Sequence, residues 1–313
     1  MTTELEGILP VWKPKGFTSH DVVAKVRRIV RIKRIGHTGT LDPQVTGVLP
    51  LCIGRATRLV EYIQELPKAY EATLLLGLAT DTEDLSGEVL ERVERLGERL
   101  TPEQVTAAVL RFIGDIEQVP PMYSAVKVDG KRLYELARQG VQVERKSRKV
   151  TIYGIDVLET DWSGDYPQVK FRVNCSKGTY IRTLCADIGQ ALGVPAVMAE
   201  LVRISTGHIG PERCLTLEQI EALHKNGELA GRLIPMEQAV AHLPSVRLSS
   251  VQAQKALQGQ KIRVSEGQKA ALNAFSSTGE RAVACFTEET DALIGLFEWD
   301  SELGMLLPVK IFS

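Results

Sequence analysis

Gly36-His37-Thr38-Gly39-Thr40-Leu41-Asp42-Pro43 is the stretch on which the fold and chemistry of this chain turn. It sets glycines, threonines, a histidine and one carboxylate side by side and ends in proline. Glycines admit positive φ and let a backbone approach a ligand closely. A residue before proline is pushed out of the α region, so Asp42 belongs to an extended or turn conformation. The apolar run that follows, Thr46 to Gly54, reads as a buried strand. Asp42 is therefore expected just off a core strand, on a loop with little side-chain bulk. The loop alone fits two readings equally. One is a carboxylate held against a substrate, and the other is a Gly/Pro surface turn with Asp42 bonding its own backbone.

Length and composition narrow the choice. A chain of 313 residues can bury a large core and has room for two domains. Hydrophobic content of 44% fits a soluble globular protein. No run of about 18 apolar residues occurs, so no membrane-spanning helix is expected. The acidic start Met1-Thr2-Thr3-Glu4-Leu5-Glu6 lacks the basic and apolar regions of a secretory signal. Cys52, Cys175, Cys185, Cys214 and Cys285 are scattered and form no CxxC pair. Neither a disulfide framework nor a metal site is expected, and a reducing cytoplasm is the natural compartment.

Net charge is −1, but its distribution is uneven. Lys13, Lys15, Lys25, Arg27, Arg28, Arg31, Lys33 and Arg34 stand against Asp21 alone, and Arg138, Arg145, Lys146, Arg148 and Lys149 form a second basic cluster. Each cluster by itself is an ordinary solvated face. Two of them on a neutral protein point weakly to a polyanion groove.

Along the chain, Gly7 to Trp12 reads as a strand and Ser19 as the cap of a helix of about a dozen residues, with Asp21 in its first turn. Val22, Val23, Val26, Ile29 and Val30 share one face of that helix. Arg55 to Leu66 reads as a helix and Lys68 to Gly77 as a strand. Asp81 to Gly87 reads as a polar turn, from which Glu88 to Val93 can pair back. Thr101, Pro102 and Gln104 compose a capping box with proline at the first helical position, and Thr216 with Gln219 composes another. Met122 to Val128 reads as a strand ending in the turn signal Asp129-Gly130. Arg132 to Arg138 reads as helical, and Val150 to Thr160 and Gln168 to Asn174 as long strands. Ser176 to Arg182 reads as a tight turn opening a helix that ends near Gly193. From Pro244 the chain becomes rich in short strands, with a final strand from Met305 to Phe312. The expected domains are 1–243 and 244–313. Strands and helices do not alternate regularly, so the fold class is α+β.

Lys13-Pro14-Lys15-Gly16, the block from Gly36 to Gly47, Lys68-Ala69-Tyr70, and Ser176 to Arg182 together resemble, in order and spacing, the bacterial TruB family of tRNA pseudouridine-55 synthases. The resemblance runs from Gly7 to about Gly207. It implies a mixed, mostly antiparallel sheet flanked by helices with a cleft across its middle, and a small C-terminal β-rich RNA-binding domain of the PUA type. It also implies isomerisation of uridine 55 in the T-loop of tRNA by base flipping. No cofactor is implied, because no atom is gained or lost overall.

By the same resemblance Asp42 is the essential carboxylate, either as nucleophile or as base. Arg182 pairs with it, and Tyr70 stacks on the target base and is a candidate for proton transfer. Tyr180 and Leu201 wall the uracil pocket, and His37 fills the gap left by flipped bases. Lys13 supports the loop or holds phosphate. Two departures stand out. Trp12 precedes the lysine where the family commonly has Asp or Asn, and Leu201-Val202-Arg203 stands where it often has consecutive arginines. The implied partner is the tRNA T-stem-loop, with no guide RNA and no membrane, and the chain is expected to act as a monomer. A guide-RNA-dependent synthase would share these motifs, but the chain lacks basic low-complexity tails. A purely RNA-folding scaffold would not need Asp42, Tyr70 and Arg182 together.

Overall fold

The central loop hangs from an eight-stranded mixed sheet in the computed structural model, which describes residues 5–124, 126–128, 130–141, 143–276 and 281–312. In chain order the elements are β1 (Gly7–Lys13), α1 (Ser19–Val30), β2 (Ile35–His37), β3 (Thr46–Ile53), a 3-10 turn (Gly54–Leu59) continuing into α2 (Val60–Glu65), and β4 (Lys68–Leu76). Next come the hairpin β5 (Leu78–Thr80) and β6 (Val89–Arg92), then α3 (Pro102–Leu110), β7 (Gly114–Gln118), the short pair β8 (Lys127–Val128) and β9 (Lys131–Arg132), and α4 (Leu133–Ala137). They are followed by β10 (Arg148–Asp161), β11 (Gln168–Cys175), α5 (Ile181–Leu192), β12 (Ala196–Thr206), α6 (Leu217–Lys225) and α7 (Met236–Ala239). The C-terminal part carries β13 (Ser245–Leu248), α8 (Ser250–Leu257), β14 (Ile262–Arg263), α9 (Glu266–Ser276), β15 (Ala282–Thr287), β16 (Leu293–Asp300) and β17 (Met305–Ile311).

The large sheet runs β1-β3-β12-β4-β11-β10-β7, with β2 also on β3. Only the β12–β3 pair is parallel among its described pairings. The five C-terminal strands form a second sheet in the order β13-β15-β16-β17-β14. The α+β class and the β-rich, PUA-like C-terminal part stand as expected.

Period-two alternation gives the large sheet two apolar faces. Leu9, Val11, Leu49, Leu51 and Ile53 enter a core shared with Val22, Val26 and Val30 of α1, Val105 and Val109 of α3, and Leu184 and Ile188 of α5. Their neighbours Ile8, Val48 and Cys52 point the other way. There they meet Ala56, Leu59 and Ile63, and also Ala284, Leu293, Leu296 and Phe312 of the C-terminal part. Both ends of the chain thus share one apolar layer. Polar ties reinforce it: Arg58 donates to the Ile311 carbonyl and Lys310 pairs with Glu61.

Several expectations need correction. The cap of α1 is Thr18, whose hydroxyl accepts from Asp21 N. Ser19 is instead buried, and its hydroxyl accepts from Leu41 N at 2.9 Å. The stretch 55–66 begins as 3-10 helix before turning α-helical. Among the described residues from Met122 to Val128 only Lys127–Val128 is strand, and Ala125 of that stretch and Asp129 of the expected turn lie outside the described residues. The C-terminal part contains α8 and α9 besides its strands. The largest omission is β12, a central strand. Its register against β4 shifts between Met198 and Glu200 and again between Arg203 and Ser205. Such bulges break the period-two signal from which a strand is read.

Candidate active site

The polar loop after β2 is pinned on both sides of Asp42. Thr38 is fully buried, with its N–H and hydroxyl both donating to the Pro50 carbonyl. Leu41 N donates to Ser19 Oγ, Val45 N to the Asp42 carbonyl, and Gly16 N to the Pro43 carbonyl at 2.8 Å. Two glycines are required by geometry. Gly47 has φ +115°, and a Cβ there would lie 2.2 Å from the Arg203 carbonyl across the parallel β3–β12 pair. Gly39 has φ +143° and faces the Arg203 guanidinium. Both φ values lie where side chains are strained.

Asp42 therefore projects from a loop with little freedom. Its Oδ2 receives Arg182 Nη2 at 3.0 Å. Arg182 comes from the first turn of α5, and its side chain is almost wholly buried. The same guanidinium donates to the Thr82 carbonyl at 2.9 Å and to the Tyr123 carbonyl at 2.8 Å. One cation thus ties the Asp42 loop, the β5–β6 turn and the segment before β8. Burial raises the Asp42 carboxyl above its ordinary range, opposed by the Arg182 charge and pushed further up by Asp84.

The carboxylate faces a cleft of about 310 Å³, lined among others by Tyr70, Tyr180, Leu201, Arg182 and Arg203. That size suits a small ligand or one base. Tyr70 comes from β4, and burial raises its phenol, so it stays protonated at neutral pH. Tyr180 caps α5, where its backbone exchanges two hydrogen bonds with the Gln118 amide, at 3.0 and 3.1 Å. Leu201 of β12 packs on the core and shows one side to the cleft.

Two residues sit apart from this group. Lys13 is fully buried beneath the loop and donates to the carbonyls of Pro14, Phe17 and Pro43. These bonds hold its amine against the backbone of the turn and the loop. Desolvation brings its amine down to about 8. His37 does not line the cleft. Its ring packs edge-on to His20 at 5.2 Å, and Nδ1 accepts from Gly39 N at 3.3 Å. Burial lowers this imidazole to about 4, so it is neutral at physiological pH.

The structure adds site residues that the sequence reading did not single out. Arg203 is 1% exposed, donates through Nε to the Val48 carbonyl at 2.7 Å, and reaches the Gly39 carbonyl through Nη2. It is the Cα partner of Tyr70 across the β12–β4 pair. Lys68, two residues before Tyr70, lies buried in the cleft wall and donates to the Leu66 carbonyl at 2.6 Å. Lys68, two positions before Tyr70 on the legible strand β4, was the available signal for the lysine. Arg203 was hidden because it stands across from Tyr70 on β12, which was not legible. No group of three or more His, Cys, Asp or Glu poised to hold a metal occurs among the described residues.

Comparison with known proteins identifies the family of the chain. Residues 27–181 match the N-terminal domain of the TruB family pseudouridylate synthases, and residues 182–241 match the tRNA pseudouridylate synthase B C-terminal domain. The tRNA pseudouridine synthase B of Geobacillus thermodenitrificans is 44% identical over 98% of this chain and 100% of its own length. That of Bacillus licheniformis is 45% identical over 97% of each. Among solved structures, a Cbf5-Nop10-Gar1 complex aligns with a TM-score of 0.72 at 28% identity, over 99% of this chain and 84% of that one. An H/ACA RNP bound to a substrate RNA containing 2'-deoxyuridine aligns at 0.71 and 26%, over 99% and 86%. With family models covering residues 27–241 and relatives 44–45% identical over nearly the whole chain, the chain belongs to the TruB family of pseudouridylate synthases.

Proposed function

We propose that this chain converts uridine 55 in the T-loop of tRNA to pseudouridine, acting on the RNA alone, without guide RNA or cofactor. The observation that carries the reading is the Asp42–Arg182 pair at the mouth of a cleft walled by Tyr70, Tyr180 and Leu201. The names of the full-length relatives support the choice of tRNA.

The reaction breaks the ribose C1′–N1 bond, turns the uracil and joins C1′ to C5. A proton leaves C5 and N1 ends protonated, so the atoms balance within the substrate. Among the described residues Asp42 is the only carboxylate lining the cleft; in this reading it acts on the sugar or the base, and Arg182 holds it oriented and favours its charged form. A uridine stacked in a loop must first be extruded, at a cost of a few kcal/mol. Stacking on Tyr70 returns roughly 1–3 kcal/mol. In this reading Tyr180 and Leu201 wall the pocket and His37 occupies the vacated place in the RNA. His37 would have to leave its His20 contact to do so. Lys13 keeps the Asp42 loop in place. Residues 244–313 are a separate RNA-binding unit, and the basic face of α1 adds phosphate contacts.

The fold likeness to an H/ACA RNP bound to a substrate RNA leaves a guide-RNA-dependent reaction as the competing reading. A product assay on bare tRNA transcript and on an isolated T-stem-loop decides between them. Pseudouridine at position 55 of both, without guide RNA, is expected. A requirement for a guide RNA, or an equal rate on unstructured RNA of the same loop sequence, would overturn the reading.

A further inference from the structure

The turn between β5 and β6 contains a conformational anomaly. Glu83 has φ +62°, and it is one of four non-glycine residues with positive φ among those described. A left-handed residue with a Cβ costs roughly 1–2 kcal/mol, and such strain persists only where its surroundings over-determine it. Four contacts do so here, the first being the Glu83 N–H, which donates to the Thr80 carbonyl at 3.3 Å. The Glu83 carboxylate accepts from the Thr183 hydroxyl at 2.7 Å. The Glu83 carbonyl accepts from Met198 N at 3.1 Å. The carbonyl of the preceding residue, Thr82, accepts from Arg182 Nη1 at 2.9 Å.

These contacts close a ring. Thr183 follows Arg182 in the first turn of α5 and is itself buried. Glu83 follows Thr82. Two adjacent residues of the turn are therefore bonded to two adjacent residues of the helix, side chain to side chain at one rung and backbone to guanidinium at the other. The backbone of Glu83 sets where the Thr82 carbonyl points. That carbonyl is one of the three acceptors fixing Arg182, and the others are Tyr123 and Asp42 itself. The rung is held in a desolvated place: burial raises the Glu83 carboxyl, and burial together with Glu83 brings Asp187, one helical turn beyond Thr183, up to about 6.

We propose that Glu83 is a positioning residue for the isomerisation: its bond to Thr183 locks the turn so that the Thr82 carbonyl holds the Arg182 guanidinium against Asp42. The proposal rests on the reading of Asp42 and Arg182 as the reacting pair. Glu83 is not among the residues lining the cleft, so its influence passes through Arg182.

The test uses the full-length chain and the variants Glu83→Gly, Thr183→Val and Glu83→Gln. Glycine is at ease at this φ, so Glu83→Gly removes the tie while relieving the strain. Thr183→Val removes it without changing charge. Single-turnover pseudouridine formation on a tRNA transcript is expected to fall by about tenfold to a hundredfold in Glu83→Gly and Thr183→Val, with tRNA Kd unchanged. Glu83→Gln, which can still accept from Thr183, is expected to stay within about twofold. The double variant Glu83→Gly/Thr183→Val should be no slower than either single. A second readout needs no turnover. The Asp42 carboxyl, titrated by ¹³C NMR, should move further upward in Thr183→Val, because a displaced Arg182 no longer holds it down. Wild-type rates with an unmoved Asp42 titration would overturn the proposal. So would losses confined to Kd, additive losses, or a Glu83→Gln as slow as Glu83→Gly. If the wild-type chain forms no pseudouridine, the assigned reaction fails, and the Asp42 titration still decides the positioning role.

Discussion

Arg182 Nη2 stands 3.0 Å from Asp42 Oδ2, with the arginine side chain 6% exposed and the aspartate 41% exposed. The cation is thus the fixed partner and the carboxylate the accessible one. Arg182 is anchored by two carbonyls before it meets Asp42, so its charge is already in place when substrate arrives.

Asp42→Asn is expected to abolish pseudouridine formation while tRNA affinity stays within a few-fold, because phosphate contacts supply most nucleic-acid affinity. Product analysis beside a filter-binding titration checks this, and substantial turnover by the variant would remove Asp42 from the centre of the reaction.

The pH profile should carry the signature of the pair. Burial raises Asp42 and Arg182 opposes it. The acid limb of the single-turnover rate is therefore expected above the ordinary aspartate range, with activity lost as pH falls through it. Arg182→Met should shift that limb further up and slow the plateau on the order of a hundredfold. A limb that does not move would show that Arg182 leaves the carboxylate's ionisation alone.

Lys13→Met tests the support of the loop. The variant strands the Pro14 and Phe17 carbonyls, whereas Pro43 keeps its bond from Gly16 N. A carbonyl left unpaired costs up to roughly 1–3 kcal/mol, and less where water reaches it, as at the exposed Phe17. Removing a desolvated charge offsets part of this, so a net loss of about 2 kcal/mol in urea unfolding is expected, with a slower reaction. Full stability with selective loss of tRNA binding would reassign Lys13 to phosphate.

Asp187 offers a stability test outside the cleft. Its carboxyl is brought up to about 6, first by burial and then by Glu83. A carboxyl raised above its unfolded value contributes stability that is full below about 4 and is lost as pH rises through about 6. Asp187→Asn keeps the neutral form at every pH. Its melting temperature should exceed that of the wild type at pH 7.5, by an amount worth about 1 kcal/mol, and the gap should narrow towards pH 5. A constant gap across that range would contradict the assignment.

Removing residues 244–313 should weaken tRNA binding if that part is an RNA-binding unit. It should also lower the melting temperature, because Ala56, Leu59 and Ile63 lose the cover of Leu293, Leu296 and Phe312. Each large apolar side chain uncovered costs about 1.5–3 kcal/mol. A truncated chain that melts, binds and reacts like the full one would refute both expectations.

The sequence by itself determined much of this molecule. Local chemistry speaks plainly where one short stretch suffices. The capping boxes at Thr101 and Thr216, the valine face of α1, the Gly193 helix end and the long strands β10 and β11 were all legible, because caps and periodicity are local properties. The Asp42 loop, Tyr70, Tyr180 and Arg182 could be named because motif spacing survives without a fold. The family resemblance named Arg182 as the partner of Asp42, and tertiary structure decided how that pair and its surroundings are held. It put Arg182 under Asp42 from a helix far along the chain, turned Lys13 inward beneath the loop, and drew Arg203 out of a bulged central strand that no period announces. It also bonded Glu83 of an unremarkable polar turn to Thr183. Each of these is a contact between distant segments, set by sheet order and burial, and pattern within a window of neighbouring residues holds no record of it.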